Sequence, residues 1–154
     1  MKLFPIAFVA LVAILGTIIM RTATTNMRNI AIIWGSFRIP AWVFAVVWTF
    51  IYVTYALIWS KYVRGKFANN IFALNMALNF SWTVAFAIAV STRSQTALII
   101  SQAIIIILFL LTAYQIWYMY ERLRIRERRI VTAVLGVYAT WLVFATLLNF
   151  GIKV

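Results

Sequence analysis

The chain has 154 residues, 66% of them hydrophobic and 10% charged, with a formal net charge of +12. A soluble domain is about 45–50% apolar and about 25% charged, and a chain this short cannot hide such an excess in one aqueous core, which excludes a soluble fold. With neither Cys nor His, disulfides, thiolate chemistry and the commonest zinc, copper and haem ligands are excluded as well, so no metal site and no cofactor is expected.

The charges divide the chain. Uncharged runs cover Leu3–Met20, Ile39–Ser60, Phe67–Thr92, Ser94–Tyr120 and Ile130–Ile152, and about 20 helical residues cross a hydrocarbon core. The pattern predicts an all-α integral membrane protein, a bundle of five transmembrane helices near residues 3–20, 40–60, 67–91, 96–119 and 130–151. Residues 1–154 are read as a single transmembrane domain. The first run is longer than a signal h-region, and Arg21-Thr22-Ala23-Thr24 is a poor cleavage site, so it is read as a helix. The link Arg21–Arg38 holds an apolar patch, Ile30–Trp34, too brief to span and expected at the interface or folded back over the helix ends. The other links, Lys61–Lys66, the stretch around Arg93, and Glu121–Arg129, are tight, which predicts antiparallel neighbours in an up-down bundle.

One face collects Lys2, Lys61, Arg64, Lys66, Arg122, Arg124, Arg126, Arg128 and Arg129; the other has Arg21, Arg28, Arg38, Arg93 and Lys153. Nine against five favours a cytoplasmic N-terminus. In lipid such charges set topology and meet anionic headgroups, so no nucleic-acid partner is expected. Glu121 and Glu127 fall in the basic fourth link, where pairing with arginine is expected. The runs themselves contain no Asp, Glu, His, Lys or Arg, which argues against ion pumping and acid–base hydrolysis.

What the spans do contain is aromatic and amide side chains at helical spacing. Trp48, Tyr52, Tyr55 and Trp59 stand at i, i+4, i+7 and i+11. Asn75, Asn79, Trp82 and Phe86 repeat that spacing, and Tyr138, Trp141, Ala145 and Asn149 fall at i, i+3, i+7 and i+11. Each set shares one helix face. Trp59, Tyr62, Trp117 and Tyr118 are read as interfacial belt residues. The deeper Trp48, Trp82 and Trp141, with asparagines that need partners in hydrocarbon, point to an inward-facing aromatic pocket for a flat, largely apolar ligand; helix-packing glue is the alternative. Ala73 and Ala77, on the opposite face of the third helix, have the small-xxx-small spacing of a homodimer contact.

Three stretches carry a family resemblance. Pro40-Ala41-Trp42-Val43-Phe44 with Trp48 and Tyr52, Leu78-Asn79-Phe80-Ser81-Trp82 with Phe86, and Tyr138 through Asn149 resemble motifs of the second, third and fifth helices of the TspO/MBR family (tryptophan-rich sensory protein, or translocator protein). The likeness runs from about Phe37 to Lys153. It implies a five-helix fold, often dimeric, with a pocket beneath the first loop that binds porphyrins and, in some members, sterols or synthetic aromatic ligands. It also implies, for some bacterial members, light-dependent porphyrin breakdown through two tryptophans that fall here on Trp48 and Trp141. Ala145 and Thr146 match ligand-contact positions. The sequence departs from the family pattern at Phe37, where Trp is usual, at Thr83-Val84 in place of Pro-Pro, at Val137 in place of Pro, and at Phe150, where the sterol motif has Tyr.

The expected ligand-binding residues are therefore Arg38, Trp42, Trp48, Tyr52, Asn79, Trp82, Tyr138, Trp141, Ala145, Thr146 and Asn149, with Arg38 as the partner of a porphyrin carboxylate. The expected function is binding of a porphyrin-like, or possible sterol-like, ligand for sensing, sequestration or transport. The alternatives are light-dependent porphyrin degradation and a ligand-free structural or regulatory membrane protein.

Overall fold

A computed structural model describes residues 2–25, 33–34, 37–38 and 41–151, with only the backbone described for Thr24, Thr25, Ile33, Trp34, Phe37, Arg38 and Ala41. Five helices dominate: α1 Leu3–Thr25, α2 Ala41–Tyr62, α3 Lys66–Thr92, α4 Gln95–Arg122 and α5 Ile125–Gly151. All five are long and apolar enough to cross a membrane. Two short strands, β1 Ile33–Trp34 and β2 Phe37–Arg38, pair antiparallel between α1 and α2, Ile33 facing Arg38 and Trp34 facing Phe37. β1 lies against α5, so this part of the apolar patch folds back onto the bundle. Ile30–Ile32 and Arg28 lie outside the described residues.

The apolar runs mark where hydrocarbon ends, and α1 and α5 each continue five residues past that point. α1 carries on to Thr25: Ala23 is buried, and the Thr22 hydroxyl donates to the Ile18 carbonyl at 3.0 Å. α5 starts at Ile125, five residues before the apolar run, because arginine is a good helix former and no Pro or Gly interrupts the segment. The Arg128 amide already donates to Arg124 O at 2.8 Å. The turns are correspondingly tight. Gly65 (φ 81°) opens α3, a conformation suited to glycine. Arg93 closes α3 in the left-handed region (φ 54°), and Ser94 Oγ caps α4 by accepting from the Ala97 amide at 3.2 Å. Among the described residues Glu121 and Glu127 form no ion pair, contrary to the pairing expected of them. The arginines beside them stack on tyrosines instead, Arg122 on Tyr118 and Arg128 on Tyr120.

The helices close into a ring in the order α1–α2–α5–α4–α3. Consecutive helices are ring neighbours except α2 and α3, which α1 separates despite their three-residue link. Bulky side chains explain the exception. Tyr55 and Trp59 of α2 reach Phe72 of α3 ring to ring at 5.1 and 6.1 Å, and hold the two backbones apart. Hydrogen bonds span the gap, among them those from the Tyr55 hydroxyl to Phe72 O at 3.2 Å and from Trp59 Nε1 to Asn69 Oδ1 at 3.0 Å. Trp59 and Tyr118 are therefore core residues and not belt residues; only Trp117 of the inner belt candidates is well exposed, at 58%.

The radial pattern is that of a protein dissolved in lipid. Leu11, Ile14, Val46, Phe50, Leu74, Ile99, Leu110, Val137 and Leu147 point outward, while Asn75, Asn79, Ser101, Thr112, Gln115 and Asn149 are buried. Polar side chains in hydrocarbon must find partners on neighbouring helices, and that requirement organises the interior.

Candidate functional site

α2 begins, and α3 and α5 end, on the same side of the bundle as the β1–β2 hairpin. Trp48 lies seven residues into α2, and Trp82 and Trp141 each lie ten residues before their helix ends. At about 1.5 Å per residue they are roughly 10–15 Å deep. All three meet there. Trp48 is the hub: ring centroids lie 5.5 Å from Tyr52, 5.8 Å from Trp82, 6.2 Å from Trp141 and 6.4 Å from Tyr138. Phe86 stacks on Trp82 at 5.4 Å, and Phe44 and Phe144 flank Trp141 at 5.5 and 5.2 Å. The arrangement mixes offset-stacked and edge-on contacts, the geometries that aromatic quadrupoles favour.

Directly below the rings runs a polar seam. The Tyr52 hydroxyl donates to Asn79 Oδ1 at 2.6 Å, Asn79 Nδ2 to the Tyr138 hydroxyl at 3.2 Å, and that hydroxyl to Asn75 Oδ1 at 3.2 Å. Asn75 Nδ2 donates to Thr112 Oγ1 at 2.9 Å and Gln115 Oε1 at 3.1 Å, and Gln115 Nε2 returns to the Tyr55 hydroxyl at 2.8 Å. Seven side chains from α2, α3, α4 and α5 thus satisfy one another. The cluster above is different. The indole N–H groups of Trp82 and Trp141 are buried and have no hydrogen-bond partner among the described residues. A buried donor without an acceptor is costly.

Of the expected site residues, Trp48, Tyr52, Asn79, Trp82, Tyr138 and Trp141 converge. Ala145 is buried one turn beyond Trp141, and the Thr146 hydroxyl donates to Leu142 O at 2.7 Å. Two do not join. Trp42 is 66% exposed at the start of α2. Asn149 is buried against α4, its Nδ2 3.2 Å from Ser101 Oγ and its carbonyl 3.4 Å from Gln102 Nε2, and so belongs to α4–α5 packing. Arg38 lies on β2, and its side chain is outside the described set. Sequence reading passed over Thr112 and Gln115, although two polar residues three apart in an apolar span were a signal that they face a partner. Phe44 in the second-helix motif and Phe144 in the fifth-helix motif gave no signal beyond their apolar character.

The model of the TspO/MBR family matches residues 5–154. The chain belongs to the TspO/MBR family. It is accordingly a multi-pass integral membrane protein, and the match takes in α1 and α4, which carry none of the three motifs. No curated protein and no solved structure matches the chain. Where the TspO/MBR pattern has prolines, α3 and α5 run unbroken: the Thr83 hydroxyl donates to Asn79 O at 3.0 Å, and Val137 is half-exposed on the outer face.

Proposed function

We propose that this TspO/MBR protein binds a flat, largely apolar, tetrapyrrole-like ligand among Trp48, Trp82 and Trp141, for sensing, sequestration or transport. One observation carries the reading. The buried Asn, Gln and Ser side chains of the bundle have partners, and of the buried side-chain polar atoms without one among the described residues, Trp82 Nε1 and Trp141 Nε1 both lie beside Trp48, whereas Thr132 Oγ1 and Arg128 Nε lie elsewhere on α5. They lie where rings from α2, α3 and α5 gather around Trp48. A conjugated macrocycle entering from the hairpin side would replace ring–ring contacts with stacking of similar kind. Its acceptor atoms would meet the two free donors, and the seam beneath would set the depth of entry. Nothing in the cluster is an acid or base suited to proton transfer.

The test is a titration of purified protein with protoporphyrin, read by quenching of Trp fluorescence and by the shift of the porphyrin absorption band. Saturable binding that weakens in Trp48→Ala and in the double variant Trp82→Phe/Trp141→Phe is expected. Non-saturable partition, unchanged in both variants, would assign the aromatic cluster to packing alone.

A second reading, light-dependent breakdown of the same ligand by dissolved oxygen, rests on the family resemblance at Trp48 and Trp141, whose rings lie 6.2 Å apart. Illumination of the complex decides it: bleaching of bound porphyrin that is lost in Trp48→Phe and Trp141→Phe supports degradation, and a spectrum stable under light supports binding alone.

A further inference from the structure

The other end of the bundle carries a feature that ligand binding does not use. Five arginines fall within residues 122–129, beside only Glu121 and Glu127, and neither glutamate is ion-paired among the described residues. Two of the arginines are braced. Arg122 Cζ lies 4.2 Å from the Tyr118 ring centroid and Arg128 Cζ lies 4.2 Å from that of Tyr120. Stacking orients a guanidinium and leaves its edge donors free for a planar, bidentate anion. The exposed donors are largely uncommitted: Arg128 makes one long bond, from Nη2 to Leu123 O at 3.4 Å, and its buried Nε lies out of reach of a headgroup.

The two braced arginines stand on opposite flanks of α4. Tyr118 faces α3, meeting Phe67 at 5.6 Å, while Tyr120 faces α5 through Arg128 itself. Below them the outer face of α4 is apolar and partly aromatic: the Tyr114 and Trp117 rings meet at 5.6 Å, tilted by 41°, Trp117 is 58% exposed, and Ile107 and Leu110 continue the strip towards mid-membrane. Cations above an amphipathic aromatic band and an aliphatic strip match the order of phosphate, glycerol and acyl chain in a phospholipid. The sign of the headgroup follows from charge. Lys2, Lys61, Arg64 and Lys66 are exposed at the same end, and the arginines in the first turn of α5 add to the positive pole of the helix instead of offsetting it. That potential repels the ammonium of a zwitterionic headgroup and attracts a net anionic one.

We propose that the α4 end of the bundle is a headgroup site for anionic phospholipid, holding one phosphate on each flank, through Arg122 on the α3 side and Arg128 on the α5 side.

The test is native mass spectrometry of the full chain, released from bilayers of equimolar phosphatidylglycerol and phosphatidylcholine with identical acyl chains. Two phosphatidylglycerol molecules are expected to stay bound in preference to phosphatidylcholine. Arg122→Gln and Arg128→Gln should each lose one, the double variant both, and Arg93→Gln at the opposite end neither. A second measurement needs no arginine variant. Phosphatidylglycerol with brominated acyl chains should quench Trp fluorescence more than brominated phosphatidylcholine, and the difference should shrink in Trp117→Phe. Equal retention of the two lipids, or equal loss in Arg93→Gln, would overturn the proposal. So would retention of soluble glycerol phosphate in the lipid's place, which would mark a site for a free anion.

Discussion

Tyr52 gives its hydroxyl hydrogen to Asn79 Oδ1 at 2.6 Å, and the nitrogen of the same amide donates to Tyr138 at 3.2 Å. One side chain thereby joins α2, α3 and α5, although α2 and α3 are not neighbours in the ring. Replacing it orphans the Tyr52 hydroxyl and takes from Tyr138 the bond that it accepts, although Tyr138 still donates to Asn75. Interhelical hydrogen bonds in membranes average about 0.6 kcal/mol and reach about 1.7 kcal/mol, so Asn79→Leu should destabilise the bundle by about 1–2 kcal/mol. Unfolding in mixed detergent micelles reads this directly. Asn70→Leu, at an exposed position on the same helix, should change stability by a few tenths at most; equal effects from both would mean that the seam contributes no cooperative stability.

Gly65 separates backbone conformation from packing. Its φ is 81°, and a Cβ built there meets nothing within 4 Å. Any loss in Gly65→Ala is therefore conformational: φ 81° with ψ 156° is a region essentially open to glycine alone, and holding another residue there costs about 1–3 kcal/mol. Arg93 holds φ 54° without being glycine, so Arg93→Gly should relieve strain and raise stability by up to about 1 kcal/mol, less the added freedom of the unfolded chain. Opposite signs for the two variants, in the same unfolding assay, are the expected outcome.

The division of labour between sequence and structure follows from what charge and spacing encode. Charge placement locates the hydrocarbon boundary, so five spans were legible; it does not locate helix ends, and the arginine-rich first turn of α5 was read as loop. Helical spacing tells which residues share a face, so Trp48, Tyr52, Asn79, Trp82, Tyr138 and Trp141 could be grouped before their contacts were known. It cannot tell which helices face each other. Hence Asn149, in step with Tyr138 and Trp141, was grouped with the aromatic cluster although its partner is Ser101 on α4. Trp59 shows the same limit: its place near a span end suggested a membrane belt, yet Asn69 four residues into the next helix holds its indole in the core.

The outer face of α3 bears on assembly. Ala73 is half-buried against the core, whereas Leu74, Ala77 and Ser81 are exposed. The small pair available for close approach by another helix is thus Ala77 and Ser81, one turn along from the Ala73–Ala77 pair that spacing suggested. We propose a homodimer contact through this face. Because the chain has no native cysteine, Ala77→Cys alone reports it. Oxidative cross-linking to a dimer is expected at Ala77→Cys and not at Ala103→Cys on the exposed side of α4. The reverse pattern would place the contact on α4.

Orientation is open to an equally direct measurement. The end carrying Lys2 and the α4–α5 turn holds nine Lys and Arg residues, and we propose that it faces the cytoplasm. A cysteine at exposed Arg64 should be labelled by a membrane-impermeant maleimide only after cells are opened, whereas one at Thr92 should be labelled in intact cells. Labelling in the opposite order would show that the positive-inside bias has been overridden.

The last prediction concerns the central metal of a bound macrocycle. Haem proteins hold iron through His, Cys, Met or Tyr, and the chain has no His or Cys. The hydroxyls of Tyr52 and Tyr138, which adjoin the tryptophan cluster, are already engaged with Asn79 and Asn75. A tetrapyrrole held here would gain from stacking and from its carboxylates, and little from axial ligation. Metal-free protoporphyrin should therefore bind at least as tightly as haem, and bound haem should show no spectrum of His or Cys ligation. Arg38, on β2 at the hairpin side, is the proposed carboxylate partner; losing one charge-assisted bond of about 1.5 kcal/mol corresponds to roughly tenfold in affinity. Arg38→Ala should weaken porphyrin carboxylates by that factor and leave a porphyrin diester unaffected, whereas Trp48→Ala should weaken both. Matched titrations in which haem binds far more tightly, or in which acid and diester respond alike to Arg38→Ala, would refute the assignment of stacking to Trp48 and charge to Arg38.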